Sequence, residues 1–107
     1  MEPKISEFGR FAEPSLLILV SLSDGPKHGY AIMQEIEHET GRPMGAGTLY
    51  AALNRLEEAG FVEPVPRVDR RRPYRLTAVG ASMLAEQLRG LSAFAQQGLR
   101  QLGEPEL

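Results

Sequence analysis

The apolar positions of this chain keep a helical period to about residue 60, change to a period of two, and return to the helical period after residue 77. Ile5, Phe8 and Phe11 stand three apart, which predicts a short helix or a packing arm over residues 1–12, with Gly9 weakening the helix. Glu13-Pro14-Ser15 opens the first firm helix, and Pro14 suits its first position, where a missing N–H costs nothing. Leu16 to Leu22 is apolar almost all round, so this helix is expected to be central and buried. Asp24-Gly25-Pro26 ends it, with Gly25 expected as a left-handed cap. A second helix is predicted over residues 28–39, with Ile32 and Ile36 one turn apart and Gln34, Glu35, Glu37 and Glu39 on the wet side. A third is predicted over residues 46–59. It buries Leu49, Ala52, Leu53 and Leu56, is capped by Gly60, and turns Thr48, Tyr50, Ala51, Asn54, Arg55 and Glu58 outward.

Residues 61–65 and 72–76 alternate as two strands around a turn at residues 68–71. Pro64, Pro66 and Pro73 cannot donate ladder hydrogen bonds, so a small, edge-exposed hairpin is expected. Thr77 is a good N-cap for a last helix running to residue 102, roughly 39 Å at 1.5 Å per residue. Leu84, Leu88, Leu91, Ala95, Leu99 and Leu102 form its stripe, which is longer than the preceding core can cover. A second copy of the chain is the simplest cover, with Leu16 of the first helix contributing. Gly90, Gly98 and Gly103 lower the helicity of this segment, so its end needs packing.

Three helices, a basic hairpin and a long helix make a mainly α fold with a small β-hairpin, a winged helix-turn-helix followed by a C-terminal dimerisation helix. The expected division is an arm over 1–12, the winged helix-turn-helix over 13–77, and the dimerisation helix and tail over 78–107.

Composition narrows the function. At 107 residues, 42% apolar and 24% charged, the chain holds one globular domain, or one plus an extra helix, and is not disordered. The absence of cysteine excludes a disulfide framework, a thiolate metal site and a Cys nucleophile, and leans towards a reducing cytoplasm. The longest apolar run, residues 16–20, is too short for a bilayer, and Met1-Glu2-Pro3-Lys4 does not start a signal peptide. A cytoplasmic protein without a membrane partner is expected. His28 and His38 lie ten apart, so no metal site is expected, and His28 reads as a helix cap. Gly45-Ala46-Gly47 lacks the Gly-Lys-Ser/Thr of a phosphate loop, and no Ser/His/Asp set has a supporting motif. Neither catalysis nor a cofactor is expected.

Charge points elsewhere. The net charge is −2, yet Arg67, Arg70, Arg71, Arg72 and Arg75, with Asp69 the only acid among them, give residues 67–75 a charge of +4. One concentrated basic loop on an acidic chain suggests a local anion contact, with a solvated turn whose arginines face water as the alternative. In a winged helix the third helix enters the major groove and the wing's arginines neutralise phosphates or enter the minor groove. Thr48, Tyr50, Ala51, Asn54 and Arg55 are then candidate DNA contacts, Asn54 through a bidentate bond to adenine. Arg42 and Met44 join them from the loop entering the helix, and Arg67, Arg70, Arg71 and Arg72 from the wing. Alternatives stay open: Tyr50 packing on the second helix, Arg55 pairing with Glu58 or Glu35, and Arg75 serving as a structural strut. Tyr74 reads as core. The rival function is a winged helix that binds proteins rather than DNA.

Several blocks carry a resemblance: His28-Gly29-Tyr30, Gly47-Thr48-Leu49-Tyr50-Ala51-Ala52-Leu53-Asn54-Arg55-Leu56-Glu57, Gly60-Phe61-Val62, and Arg71-Arg72-Pro73-Tyr74-Arg75-Leu76-Thr77-Ala78-Val79-Gly80. Over about residues 15–85 the chain resembles the PadR family of bacterial transcriptional regulators, in its small, short-tailed branch without a separate effector domain. The resemblance implies a winged-helix domain on double-stranded DNA and a C-terminal helix that makes a homodimer, usually in a repressor; the two-fold axis of such a dimer then asks for an inverted-repeat operator. Ala51 replaces a frequent proline and suits a helix, whereas Pro73 replaces a frequent aromatic and is expected to weaken wing pairing. Some small members hold flat hydrophobic ligands at the dimer interface on a tryptophan, which this chain lacks. Phe8, Phe11, Met83 and Phe94 are the residues that would line such a pocket for a small aromatic ligand here.

Overall fold

The computed structural model describes residues 14–67 and 70–105. Helix α1 (Pro14–Ser21) runs into a 3-10 turn (Leu22–Asp24), followed by β1 (Lys27–His28), α2 (Gly29–Thr40), α3 (Ala46–Glu58), β2 (Val62–Pro64), β3 (Pro73–Leu76) and α4 (Ala78–Leu102). This is the expected mainly helical winged helix-turn-helix with a long last helix. The expected arm, with Phe8 and Phe11, lies outside the described residues.

The core forms where the apolar faces of α1, α2 and α3 meet. Ile18, Leu22, Ile32, Leu49 and Leu53 are at most 2% exposed, and Val62, Tyr74 and Leu84 close the cluster from β2, β3 and α4. The stripe predicted for α3 is all inside, and its predicted outward residues are all exposed. Helix α1 departs from expectation. Val20 is exposed, and Leu16 and Leu17 are only half-buried. An eight-residue helix packed on α2, α3 and the start of α4 is covered on one side, so its all-round apolarity leaves a face open.

The sheet also corrects the sequence reading. It has three antiparallel strands in the order β1-β3-β2, not two. Lys27 faces Tyr74 and His28 faces Pro73 on one side of β3, while Val62, Glu63 and Pro64 face Leu76, Arg75 and Tyr74 on the other. A two-residue strand has no period to read, so β1 passes for the start of a helix. Pro73 heads the central strand rather than lying on an edge. It lacks a donor but keeps its acceptor, and its carbonyl takes the Val65 N–H at 2.9 Å. The wing ladder therefore continues past it. Gly25 has φ +144°, an extended conformation open to glycine rather than the left-handed helical cap expected.

Three joints orient the elements. His28 is the N-cap of α2, as read from the sequence, with Nδ1 accepting the Ala31 N–H at 3.3 Å. Thr77 caps α4 by accepting the Gly80 N–H at 2.9 Å and donates its own hydroxyl to the Gly60 carbonyl at 2.6 Å. It thus pins the start of α4 to the end of α3. Helix α4 continues through Gly90 and Gly98 to a left-handed Gly103, whose N–H and that of Glu104 close the last turn.

The third joint is ionic. Lys27 bonds the Ser21 carbonyl, Asp24 and, at 2.7 Å, Glu35, to which the Ser21 hydroxyl also donates at 2.7 Å. Lys27 and then Ser21 hold the Glu35 carboxyl below the ordinary carboxylate range, while burial pulls the other way. Burial alone lowers the Lys27 pKa, but its bonds to Asp24 and Glu35 outweigh that and leave it raised. A depressed carboxylate pKa contributes stability above the unfolded value, about 4.3 for Glu, and loses it as pH falls through the folded value. Glu35→Gln is therefore expected to lower the urea midpoint at about pH 7, and the gap from the unsubstituted protein is expected to close below about pH 4. A gap that persists undiminished in acid would remove the ion pair as its source.

Candidate nucleic-acid interface

The helix-turn-helix unit is α2 and α3, joined by a loop that Gly41 turns with φ +74°. Thr40 fastens the loop: its hydroxyl donates to the Ile36 carbonyl at 2.8 Å and accepts the Arg42 N–H at 3.2 Å. Arg42 is thereby placed at the surface, while Met44 is half-buried against the core. Gly45 is the N-cap of α3 and offers no side-chain bond to the first-turn N–H groups, which favours an anion there. Thr48, Ala51, Asn54 and Arg55 are exposed along the same helix. Among the described residues Arg55 pairs with neither Glu58 nor Glu35, since Glu35 is taken by Lys27.

The wing leans over the start of α2. Arg67, Arg70, Arg71 and Arg72 share a cleft of about 480 Å³ with His28, Tyr30 and Tyr50. The sheet creates this cleft, because β1 holds His28 against β3 and so draws the N-terminus of α2 under the wing. Tyr50 does two things at once. A Cβ on Gly29 would overlap its hydroxyl and come within 2.9 Å of its Cζ, so the ring end rests on the α2 backbone. The residue is still 44% exposed.

Arg75 is set apart from the other four arginines. Its Nε donates to Glu63 at 2.7 Å across the β2–β3 pair, so it is the strut that the sequence left open. Tyr74 is buried in the core, as read. His28 and Tyr30 are cleft residues that sequence reasoning did not count as such. Tyr30 is an aromatic three residues after Lys27 at the start of a helix, which was a signal in the sequence, and the structure leaves it 61% exposed; His28 was visible only as a cap.

The predicted contact residues of α4 divide. Leu84 is buried and belongs to the chain's own core, Leu99 is half-buried, and Leu88, Leu91, Ala95 and Leu102 are exposed. Met83 is packed against the core beside a groove of about 380 Å³ that includes Leu16 and Phe61. Phe94, 75% exposed, is not part of that groove. Among the described residues no group of three His, Cys, Asp or Glu could hold a metal, and no helix is long and apolar enough to cross a membrane.

Comparison with known proteins agrees with this geometry. Residues 18–86 match the model of the transcriptional regulator PadR-like family. A transcriptional regulator of Mycobacterium tuberculosis, Rv3488, is 38% identical over 96 residues, covering 87% of this chain and 88% of its own. A 37.1 kDa protein of a Streptomyces fradiae transposon is 40% identical over 83 residues, covering 78% of this chain; the chain spans only 24% of that protein's length. Bacillus subtilis PadR, solved in complex with operator DNA, superposes with a TM-score of 0.63 at 25% identity, over 69% of this chain and 45% of that one. The family is one of regulators rather than enzymes. With the helix-turn-helix, the wing and the matched segment in agreement, this chain belongs to the PadR-like family of transcriptional regulators.

Proposed function

We propose that the protein is a cytoplasmic homodimer that binds double-stranded DNA at an inverted-repeat operator and represses transcription there. The observation that carries this reading is the cleft. Four wing arginines, with no carboxylate partner among the described residues, stand beside Tyr50 and the exposed face of α3, while the fifth arginine is neutralised by Glu63. The operator-bound Bacillus subtilis relative supports it. In this reading α3 enters the major groove, with Thr48, Tyr50, Ala51, Asn54 and Arg55 towards the bases and adjoining phosphates. Arg42 and Met44 approach from the loop, and the wing follows the backbone. A two-fold dimer sets the half-sites about 34–36 Å apart.

Selection of bound sequences from a random duplex pool at two salt concentrations tests the whole proposal. A palindromic motif with steep salt dependence is the expected result; no enrichment at low salt would favour the rival, a winged helix that binds proteins. Arg71→Ala is expected to weaken binding to every sequence and to flatten the salt slope by about 0.9 per lost phosphate contact. Equal affinity and slope in that variant would take Arg71 out of the interface. Release by a flat hydrophobic or aromatic ligand is part of the proposal, with exposed Phe94 as the side chain available to stack on it. Phenolics and planar cations are then expected to raise the melting temperature and lower DNA affinity; no change in either would discard the ligand.

A further inference from the structure

His28 and Arg71 make a contact whose donor and acceptor roles depend on the imidazole tautomer. The His28 Nε2 lies 3.3 Å from the Arg71 guanidinium, across the junction of β1 and the wing. The other ring nitrogen, Nδ1, accepts the Ala31 N–H that caps α2, so the tautomer that keeps this cap has no proton on Nδ1. A neutral ring with an unprotonated Nδ1 has its hydrogen on Nε2, and a guanidinium has donors only. In that tautomer two N–H donors face one another, with no acceptor between them among the described residues. The opposite tautomer would give Arg71 its acceptor but would turn an N–H towards that of Ala31 and abolish the cap. Around this pair stand Arg67, Arg70 and Arg72, and no carboxylate lines the cleft among the described residues. Among the described residues, what the pair lacks in the tautomer that keeps the cap is an acceptor oxygen.

We propose that His28 and Arg71 together hold a single backbone phosphate of the bound DNA, His28 through Nε2–H and Arg71 through its guanidinium. This rests on the DNA-binding reading and deepens it. The bond that builds helix α2 selects the tautomer that leaves a donor facing the nucleic acid, so the histidine is a fixed donor as well as a cap. One phosphate then ties the first turn of α2 to the wing, reinforcing the short β1–β3 pairing that joins them.

His28→Asn separates the two duties. Asparagine is among the best N-caps, so α2 keeps its start, but its amide is too short to reach the phosphate. Equal unfolding midpoints confirm the retained cap. Titrations of the selected operator across a salt series are expected to show about ten-fold weaker binding, with a smaller change in salt slope than Arg71→Ala gives, because Arg71 carries the permanent charge. Arg71→Ala is expected to lose affinity and slope together. In the double variant the losses are expected to fall short of the product of the single ones, since one phosphate is lost once. A scan of half-site phosphates replaced singly by neutral methylphosphonate adds an independent reading. At one position the unsubstituted protein is expected to lose affinity while both single variants lose much less. Unchanged binding by His28→Asn, fully multiplicative losses, or no position common to both variants would overturn the shared phosphate. Failure of the unsubstituted protein to bind any duplex would instead overturn the DNA-binding reading beneath it.

Discussion

Leu91→Asp is expected to yield a monomer whose operator affinity is lower by about two to four orders of magnitude. Helix α4 is 25 residues long, yet only Gly80 and Leu84 near its start are buried. Beyond them Leu88, Leu91 and Leu102 are 42%, 48% and 79% exposed on the stripe that continues from Leu84. An apolar seam of this length calls for a partner surface, and the open side of α1 at Val20 lies beside it, lining one small apolar groove with Leu88. Leu91 lies midway along the stripe. Burying it is worth about 1.5–3 kcal/mol in each subunit, and a carboxylate there would have to be desolvated instead. Both copies carry the change, so the proposed dimer loses twice. Once separated, each half binds DNA without the effective concentration that linkage supplies, a factor of about 10²–10⁴. Sedimentation velocity over a concentration series and operator titration read the two effects. Ala93→Asp is the control: exposed and two residues on, it lies across the helix from the stripe and is expected to leave a dimer. A stable, active dimer from Leu91→Asp would refute the interface.

Gly80→Ala is expected to destabilise the fold by about 1–3 kcal/mol, the cost of overpacking a close contact, although alanine is the better helix former. The ordinary sign is the reverse: a glycine inside a helix costs about 0.5–1 kcal/mol relative to alanine. Here a Cβ would overlap the backbone carbonyl of Phe61, with its carbon at 2.8 Å. That carbonyl also accepts the Thr77 N–H at 3.1 Å, so it cannot move aside without undoing the joint between α3 and α4. Gly90, on the same helix with nothing within 4 Å of its Cβ position, is the internal comparison. Gly90→Ala is expected to raise stability by about the helix-propensity difference of 0.5–1 kcal/mol. Urea unfolding of both variants checks the contrast. Equal, stabilising effects would mean that the approach of α4 to Phe61 is not close in solution. A misdirected α4 would also carry the proposed dimer seam with it, so Gly80→Ala is expected to lower operator affinity at protein concentrations near dissociation of the proposed dimer.

How far the chain could be read without its structure depends on the range of each signal. Leu49, Ala52, Leu53 and Leu56 are four positions of one helix, so their burial is visible as a period. Thr77 and His28 cap helices through groups three residues away, a local geometry that residue type announces. The cluster Arg67, Arg70, Arg71, Arg72 is a run in the sequence, and its charge needs no fold to be noticed. The PadR-like blocks then tie these parts to a regulator. All of this rests on interactions within a turn or two of chain.

The third strand, the cleft and the roles of individual arginines depend on pairings that reach beyond that range. Lys27–His28 becomes a strand only because β3 offers it an edge, and Pro73 keeps the ladder because its carbonyl, not its missing N–H, is what Val65 needs. Arg75 and Arg71 look alike in the sequence; register puts one opposite Glu63 and the other against His28. Helix α1 reads as buried all round, and its exposed side appears only once its neighbours are counted. The sequence by itself determined the helices, the hairpin of β2 and β3, the charge of the wing and the family, since each is written in local periodicity, composition and motif. Tertiary structure alone decided which side chains share a cleft and which arginine is spent on a strut, because a hydrogen-bond partner across the sheet is set by packing and leaves no period in the chain.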